Sequence, residues 1–151
     1  MKIVFAASSG GHFEQLMMLK PLMEKYDSVL VTEKTEYSVG KQDVKTYYLK
    51  QINRKEPLFI FKLIANSWSA LRIIIKEKPD VMITTGVLAI IPLALLMKLF
   101  RRKLIYIESF AKVTSKTLSG KLLYKYADQF YVQWEEMLKL YPNAIYKGGI
   151  Y

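Results

Sequence analysis

Ile3-Val4-Phe5-Ala6-Ala7-Ser8-Ser9-Gly10-Gly11-His12 decides the fold. Five apolar residues cut off by Ser-Ser-Gly-Gly read as a buried strand that ends in a tight turn. Phe13 to Tyr26 follows at helical spacing, with Leu16, Leu19, Leu22 and Met23 on one stripe. A strand, a glycine turn and a helix in that order open a parallel α/β domain. The turn is neither G-x-G-x-x-G nor a Walker A loop, because no Gly-Lys-Ser/Thr follows. Gly10-Gly11 lets the main chain approach a ligand, and free amides at the helix start suit an anion. Ser8, Ser9 and His12 add side-chain donors, and His12 titrates near neutral pH. An ordinary βα turn, with His12 as a helix-start residue, fits the same residues.

The alternation continues along the chain. Ser28–Thr32, Lys45–Leu49, Asp80–Thr84, Lys103–Ile107, Gln129–Gln133 and Ala144–Tyr146 read as strands. Helices are expected from Pro57 to Glu77, from Ile91 to Arg101, from Leu118 to Tyr126 and from Glu135 to Tyr141. Glu33 to Asp43 reads as a loop or short helix, and Gln51 to Glu56 as a polar connection. The expected fold is a Rossmann-like parallel sheet with helices on both faces, one domain over 1–151. Ligands of such sheets bind beyond the carboxyl ends of the strands. Ser8–His12, Glu33–Tyr37, Thr85–Ala89 and Glu108–Lys112 fall there.

Composition narrows the chemistry. The chain has 151 residues, 52% of them hydrophobic, with 23 Lys+Arg against 13 Asp+Glu and a net charge of +10. That balance favours an anionic partner, although a solvated basic surface also accounts for it. The absence of cysteine excludes disulfides, thiolate metal sites and a Cys nucleophile, and the single histidine argues against a metal centre. No zinc finger, RNP-type motif or basic reading helix appears, so nucleic acid is not an expected partner. Met1-Lys2 precedes too short an apolar run for a signal peptide. The longest apolar run, Val87 to Met97, falls short of the roughly 20 residues that span a bilayer. No transmembrane helix is expected.

Two segments carry more apolar surface than a sheet-covering helix needs. In the first, Phe59, Ile60, Phe61, Leu63, Ile64, Trp68 and Leu71 mingle with Lys62, Arg72 and Lys76. In the second, Leu88, Leu93, Leu96, Met97 and Phe100 run into Arg101, Arg102 and Lys103. Apolar residues beside cations suit an anionic membrane surface, each nearby Lys or Arg adding about 1 kcal/mol. Phe59, Trp68, Leu88, Leu96, Phe100, Arg101 and Arg102 are the expected contacts. A doubly buried helix, or a face covered by a partner protein, is the alternative.

Taken together, several stretches resemble a known family. They are Ser8-Ser9-Gly10-Gly11-His12 with Glu14, Thr84-Thr85-Gly86, Tyr106-Ile107-Glu108-Ser109-Phe110-Ala111-Lys112, Leu118-Ser119-Gly120-Lys121-Leu122-Leu123-Tyr124, Ala127-Asp128 and Val132-Gln133-Trp134. In this order they resemble the membrane-associating, acceptor-side subunit of the two-part UDP-N-acetylglucosamine transferase, and more closely its bacterial relatives in capsule or exopolysaccharide assembly. The chain departs from the family in three places. It begins directly at the strand, where eukaryotic members carry a membrane anchor. It reads Gly86-Val87-Leu88 where Gly-Pro-Gly is common, and Lys112 where arginine is common.

The resemblance implies the N-terminal half of a GT-B glycosyltransferase. On that reading the chain is a non-autonomous subunit of a UDP-sugar-dependent hexosyltransferase, needing no cofactor of its own. It sits peripherally on the cytoplasmic face of the membrane and recruits a catalytic partner that binds the nucleotide sugar. It holds a polyprenyl-diphosphate-linked sugar as acceptor. Ser8, Ser9, Gly10, Gly11, Gly86, Lys112 and Lys116 are implied around the diphosphate. His12 and Glu108 are the candidates to orient or deprotonate the acceptor hydroxyl; for Glu108, capping the next helix or pairing with Lys112 is the alternative. Gln133, Trp134, Tyr146, Ile150 and Tyr151 are the expected partner contacts. A self-sufficient nucleotide-sugar enzyme and a purely structural enhancer are the rival functions.

Overall fold

The computed structural model describes residues 1–35 and 43–151. Seven parallel strands form one sheet in the order β3-β2-β1-β4-β5-β6-β7. They are β1 (Lys2–Ala7), β2 (Asp27–Lys34), β3 (Lys45–Lys50), β4 (Val81–Gly86), β5 (Lys103–Ile107), β6 (Gln129–Val132) and β7 (Ile145–Tyr146). The helices are α1 (Gly11–Met17), α2 (Lys20–Lys25), α3 (Phe59–Glu77), α4 (Ile91–Leu99) and α5 (Leu118–Leu123), with 3₁₀ turns at Leu88–Ile90 and Glu135–Lys139. From β1 the chain winds outward to β2 and β3, then returns to β4 and winds the other way. Right-handed crossovers therefore put α1 and α2 on one face, and α3, α4 and α5 on the other. The winding reverses between β1 and β4, and there the Ser8 and Thr85 loops meet.

Strand alternation builds a core on each face. Val4, Ala6, Val29, Val31, Met82, Leu104 and Tyr106 point toward α3, α4 and α5. Ile3, Phe5, Ala7, Leu30, Ile83 and Ile107 point toward α1 and α2. The helical pair α1–α2 does not reach the far strands. It leaves an apolar trough of about 320 Å³ along Ile83, Ile105, Ile107 and Tyr131, partly closed by Lys147–Ile150.

Several boundaries differ from the sequence reading. The helix expected over 13–26 is two helices, because Pro21 sits in the first turn of α2 and cannot donate to the turn before it. Pro57 lies in a turn, and α3 starts at Phe59. Glu33 belongs to β2 rather than to a loop, while Tyr37 lies outside the described residues. The segment 87–100 is chiefly core. Ala89, Ile90, Leu93, Ala94 and Met97 are fully buried, since α4 is packed between the sheet and α3. Leu88 and Leu96 are half-buried.

At the amino ends of the strands, Glu77 anchors the sheet edge. Its carboxylate is buried at the end of α3, pairs with Lys2 and Lys45, and accepts the Tyr47 hydroxyl. These hydrogen bonds, chiefly those from Lys45 and Tyr47, hold its pKa down to about 2 against an ordinary 4.5. A depressed carboxylate pKa gives stability that is complete above the unfolded value and lost as pH falls from about 4.5 toward 2. Glu77→Gln is expected to lower the urea-unfolding free energy by about 1–2 kcal/mol at pH 7. The difference from the parent should shrink as the titration is repeated below pH 4.5.

Candidate functional site

The glycine loop leaves β1 at Ser8, which is buried, and turns at Gly10, whose φ of +76° few L side chains adopt. A Cβ at Gly10 or Gly11 would meet nothing within 4 Å, so open space lies in front of the loop. The Gly10 carbonyl accepts the amides of Phe13 and Glu14 and closes the first turn of α1.

His12 is clasped across the reversal point. Its Nδ1 lies 3.0 Å from the Thr85 carbonyl, and the Thr85 hydroxyl donates to the His12 carbonyl at 2.9 Å. A carbonyl only accepts, so Nδ1 carries the proton and Nε2 keeps its lone pair. Burial pushes the imidazole below its ordinary pKa, against smaller opposing effects of the Thr85 carbonyl and Glu108. The result is a neutral imidazole with a fixed tautomer, the state a general base needs at neutral pH.

Glu108 is placed differently from the role suggested by its position in the sequence. It is 1% exposed. Its Oε1 accepts the Ser109 amide at 2.9 Å and the Thr117 hydroxyl at 2.8 Å, and its Oε2 accepts the Tyr141 hydroxyl at 2.8 Å. The backbone carbonyl of Glu108 takes the amides of Gln15 and Gln133. A carboxylate so occupied frames the β5–α5 loop and does not reach a solvent-borne hydroxyl. Burial first, and then the Glu108 charge, push the Tyr106 and Tyr141 hydroxyls well above the ordinary tyrosine range.

Two glycines serve this frame. At Gly120 a Cβ would stand 2.1 Å from Glu108 Oε2, so α5 comes to rest on the carboxylate only without a side chain there. At Gly86, with φ +95°, a Cβ would meet the Tyr106 hydroxyl at 2.7 Å and Ser119 Oγ at 2.8 Å. Gly86 is thus a buried packing position, and its amide donates to the Thr84 hydroxyl at 3.0 Å. Neither Lys112 nor Lys116 lines either of the clefts at His12, and Lys116 lies 4.7 Å over the Tyr141 ring.

Two clefts meet at His12. One of about 350 Å³ is lined by Gly11, Gln15, Ser109, Phe110 and Tyr151. The other, about 500 Å³, is lined by Asn53, Arg54, Lys55, Leu88 and Leu118. Sequence reasoning passed over Arg54 and Lys55 as part of a polar connection. Their signal is a basic pair a few residues after a strand, which matters only once β3 is known to point its carboxyl end this way. Glu33, which the sequence places at the head of a loop on this edge, takes part from the end of β2. It is buried, accepts the Ile52 amide at 3.4 Å and bonds the backbone of Ser9, so it ties the glycine loop to the β3–α3 connection. Burial raises its pKa.

The expected partner contacts divide. Gln133 is buried, donates to the Glu108 carbonyl at 2.8 Å and accepts the Ile150 amide at 3.0 Å. Trp134 donates to the Phe110 carbonyl at 2.7 Å. Gln133 thus holds the tail through Ile150, and Trp134 holds the β5–α5 loop through Phe110. Ile150 packs against the core on the α1–α2 side, while Tyr146 and Tyr151 stay exposed.

The expected membrane contacts divide too. Phe59, Leu88, Leu96 and Arg102 are half-buried. Leu58 just before α3, and Phe61, Ile64, Trp68 and Ile75 on it, form an exposed apolar row, with Phe61 at 70% exposure, and Arg72 lies 5.5 Å over the Trp68 ring. Leu99, Phe100 and Arg101 are exposed at the end of α4. Among the described residues, no helix is long and apolar enough to cross a membrane, and no cluster of His, Cys, Asp or Glu could hold a metal ion.

The sheet order, with helices on both faces, and the clefts at the carboxyl edge define a Rossmann-like domain. Acinetobacter baumannii MurG matches 90% of this chain with a TM-score of 0.75 at 17% identity, and the UDP-N-acetylglucosamine 2-epimerase of Rickettsia bellii matches 99% with 0.74 at 13%. The chain spans 43% and 45% of those two chains, a little under half of each. A family model, described as oligosaccharide biosynthesis protein Alg14 like, matches residues 3–150, and the chain belongs to that family. The UDP-N-acetylglucosamine transferase subunit ALG14 of Yarrowia lipolytica is 30% identical over 97% of this chain and 80% of its own length. The human subunit of the same name is 26% identical over 99% and 83%.

Two measurements check this site. Nitrogen NMR of the imidazole should show the Nδ1–H tautomer and a titration midpoint below 6.5. Gly120→Ala should cost about 1–3 kcal/mol in urea unfolding through the clash with Glu108.

Proposed function

We propose that this chain is the acceptor-side subunit of a two-chain glycosyltransferase that builds a lipid-linked glycan, in bacterial capsule or exopolysaccharide assembly. It lies peripherally on the cytoplasmic face of the membrane and presents a polyprenyl-diphosphate-linked sugar. The partner chain brings the UDP-sugar. The observation that carries this reading is the neutral, carbonyl-pinned His12 where two open clefts meet. The apolar, cation-flanked row on α3 supports a lipid-borne ligand. The family's link to oligosaccharide biosynthesis and the transferase-subunit names of the relatives agree with it.

In the proposed reaction, the acceptor hydroxyl oxygen attacks the anomeric carbon of the sugar held by the partner. The bond from that carbon to the UDP oxygen breaks, and UDP leaves with the electron pair. The hydroxyl proton passes to Nε2 of His12. Glu108 acts only by holding the Ser109–Thr117 loop in place. The partner is proposed to seat on Tyr146, Tyr151 and the trough beside Ile150, the stretch of sheet that this chain's own helices leave uncovered.

Co-expression with the partner and an assay on lipid-linked acceptor test the reading. His12→Ala should reduce turnover about 10²–10⁴-fold while leaving co-purification intact; full activity would reduce the chain to a scaffold. Tight binding of a UDP-sugar by this chain alone, seen by calorimetry, would instead make it a self-sufficient enzyme. For the membrane contact, Phe61→Glu with Trp68→Glu should abolish flotation on anionic vesicles at low salt, and the unmodified chain should be released by high salt.

A further inference from the structure

Arg54 and Lys55 line the larger cleft together with His12. Both are exposed, and neither side chain forms an ion pair among the described residues. The nearby carboxylates are otherwise engaged. Glu33 is held by the backbones of Ile52 and Ser9, and Glu56 pairs with Lys62. The connection that carries the two cations is held at its start and again within it. Ile52 is buried, and the Asn53 side chain accepts the Lys55 amide at 3.0 Å. The same cleft has apolar walls in Leu88 and Leu118. Three residues beyond Lys55 the exposed row begins, with Leu58, Phe61, Ile64 and Trp68. At 1.5 Å per residue, that row runs for roughly 15 Å.

We propose that Arg54 and Lys55 form the anion site for the diphosphate of a prenyl-linked ligand, whose first prenyl units run past Leu118 onto the Leu58–Trp68 row. A free inorganic anion has no use for the row, and an uncharged lipid has no use for the cation pair. An amphiphile with a doubly charged head and a thin apolar chain uses both. The head then lies beside His12, which places the first sugar of such a ligand at Nε2. The assignment of the anion as an acceptor's diphosphate rests on the function proposed above; the site itself rests on the cleft.

Calorimetry of the full chain at low salt, with farnesyl diphosphate, farnesol, inorganic pyrophosphate and UDP as probes, tests the proposal. Farnesyl diphosphate should bind at least tenfold more tightly than any of the other three. The pair Arg54→Gln and Lys55→Gln, both at exposed positions, should weaken it at least tenfold, with an unchanged melting temperature as the control for folding. Lys112→Gln with Lys116→Gln should change it less than twofold. Phe61→Ser should weaken farnesyl diphosphate and leave pyrophosphate as it was. Undiminished binding in the Arg54/Lys55 pair overturns the site, and UDP or pyrophosphate binding as tightly as farnesyl diphosphate overturns the prenyl assignment. If binding follows the expected pattern while the co-expressed pair shows no transfer to lipid-linked acceptor, the site stands and the acceptor-subunit reading fails.

Discussion

A buried carboxylate organises the carboxyl edge of this sheet. Moving a carboxylate out of water is costly unless hydrogen bonds replace the lost hydration. Glu108 collects them from Ser109, Thr117 and Tyr141, and its own backbone carbonyl gathers Gln15 and Gln133. Elements distant in the chain converge on it: α1 through Gln15, α5 through Thr117, and the tail through Gln133 and Ile150. Thr117 in turn caps α5 by accepting the Gly120 amide at 2.9 Å. One residue therefore fixes both the loop that walls the smaller cleft and the helix whose first turn walls the larger. The requirement for glycine at 120 follows from the same contact.

The second constraint is the clasp between His12 and Thr85. It joins the two directions in which the sheet winds, at the point where an open parallel sheet leaves a crevice. The clasp is made of ordinary hydrogen bonds, yet it selects a tautomer. That selection makes His12 a base in the proposed reaction rather than a polar residue at a helix start. Glu33, holding the backbones of Ser9 and Ile52, keeps the glycine loop and the Arg54–Lys55 connection in register around it.

The helices divide the labour between core and surface. α4 carries no broad polar face because the sheet lies on one side of it and α3 on another. That burial leaves α3 as the outer helix, with an apolar row that stays exposed among the described residues. Uncovered apolar rows of this kind mark contact with lipid or protein. The cations among them, Lys62, Arg72 and Lys76, favour an anionic surface.

By itself the sequence determined the alternation of strands and helices, the parallel sheet and the importance of the Ser8–His12 turn, because periodicity and glycine punctuation are local properties. It also flagged Glu108, but not its role, since nothing local distinguishes a carboxylate that faces water from one that meets Tyr141, 33 residues further along. Gly86 looked like a ligand contact for the same reason; only the packing of Tyr106 and Ser119 against it shows why glycine is there. Gln133 and Trp134 looked like surface contacts, and their partners proved to lie within the chain. Arg54 and Lys55 were invisible as a site, because a basic pair in a loop gains meaning only from what else lines its cleft. Tertiary structure decided those roles, because burial, hydrogen-bond satisfaction and the meeting of loops at the sheet's reversal point depend on residues far apart in the chain.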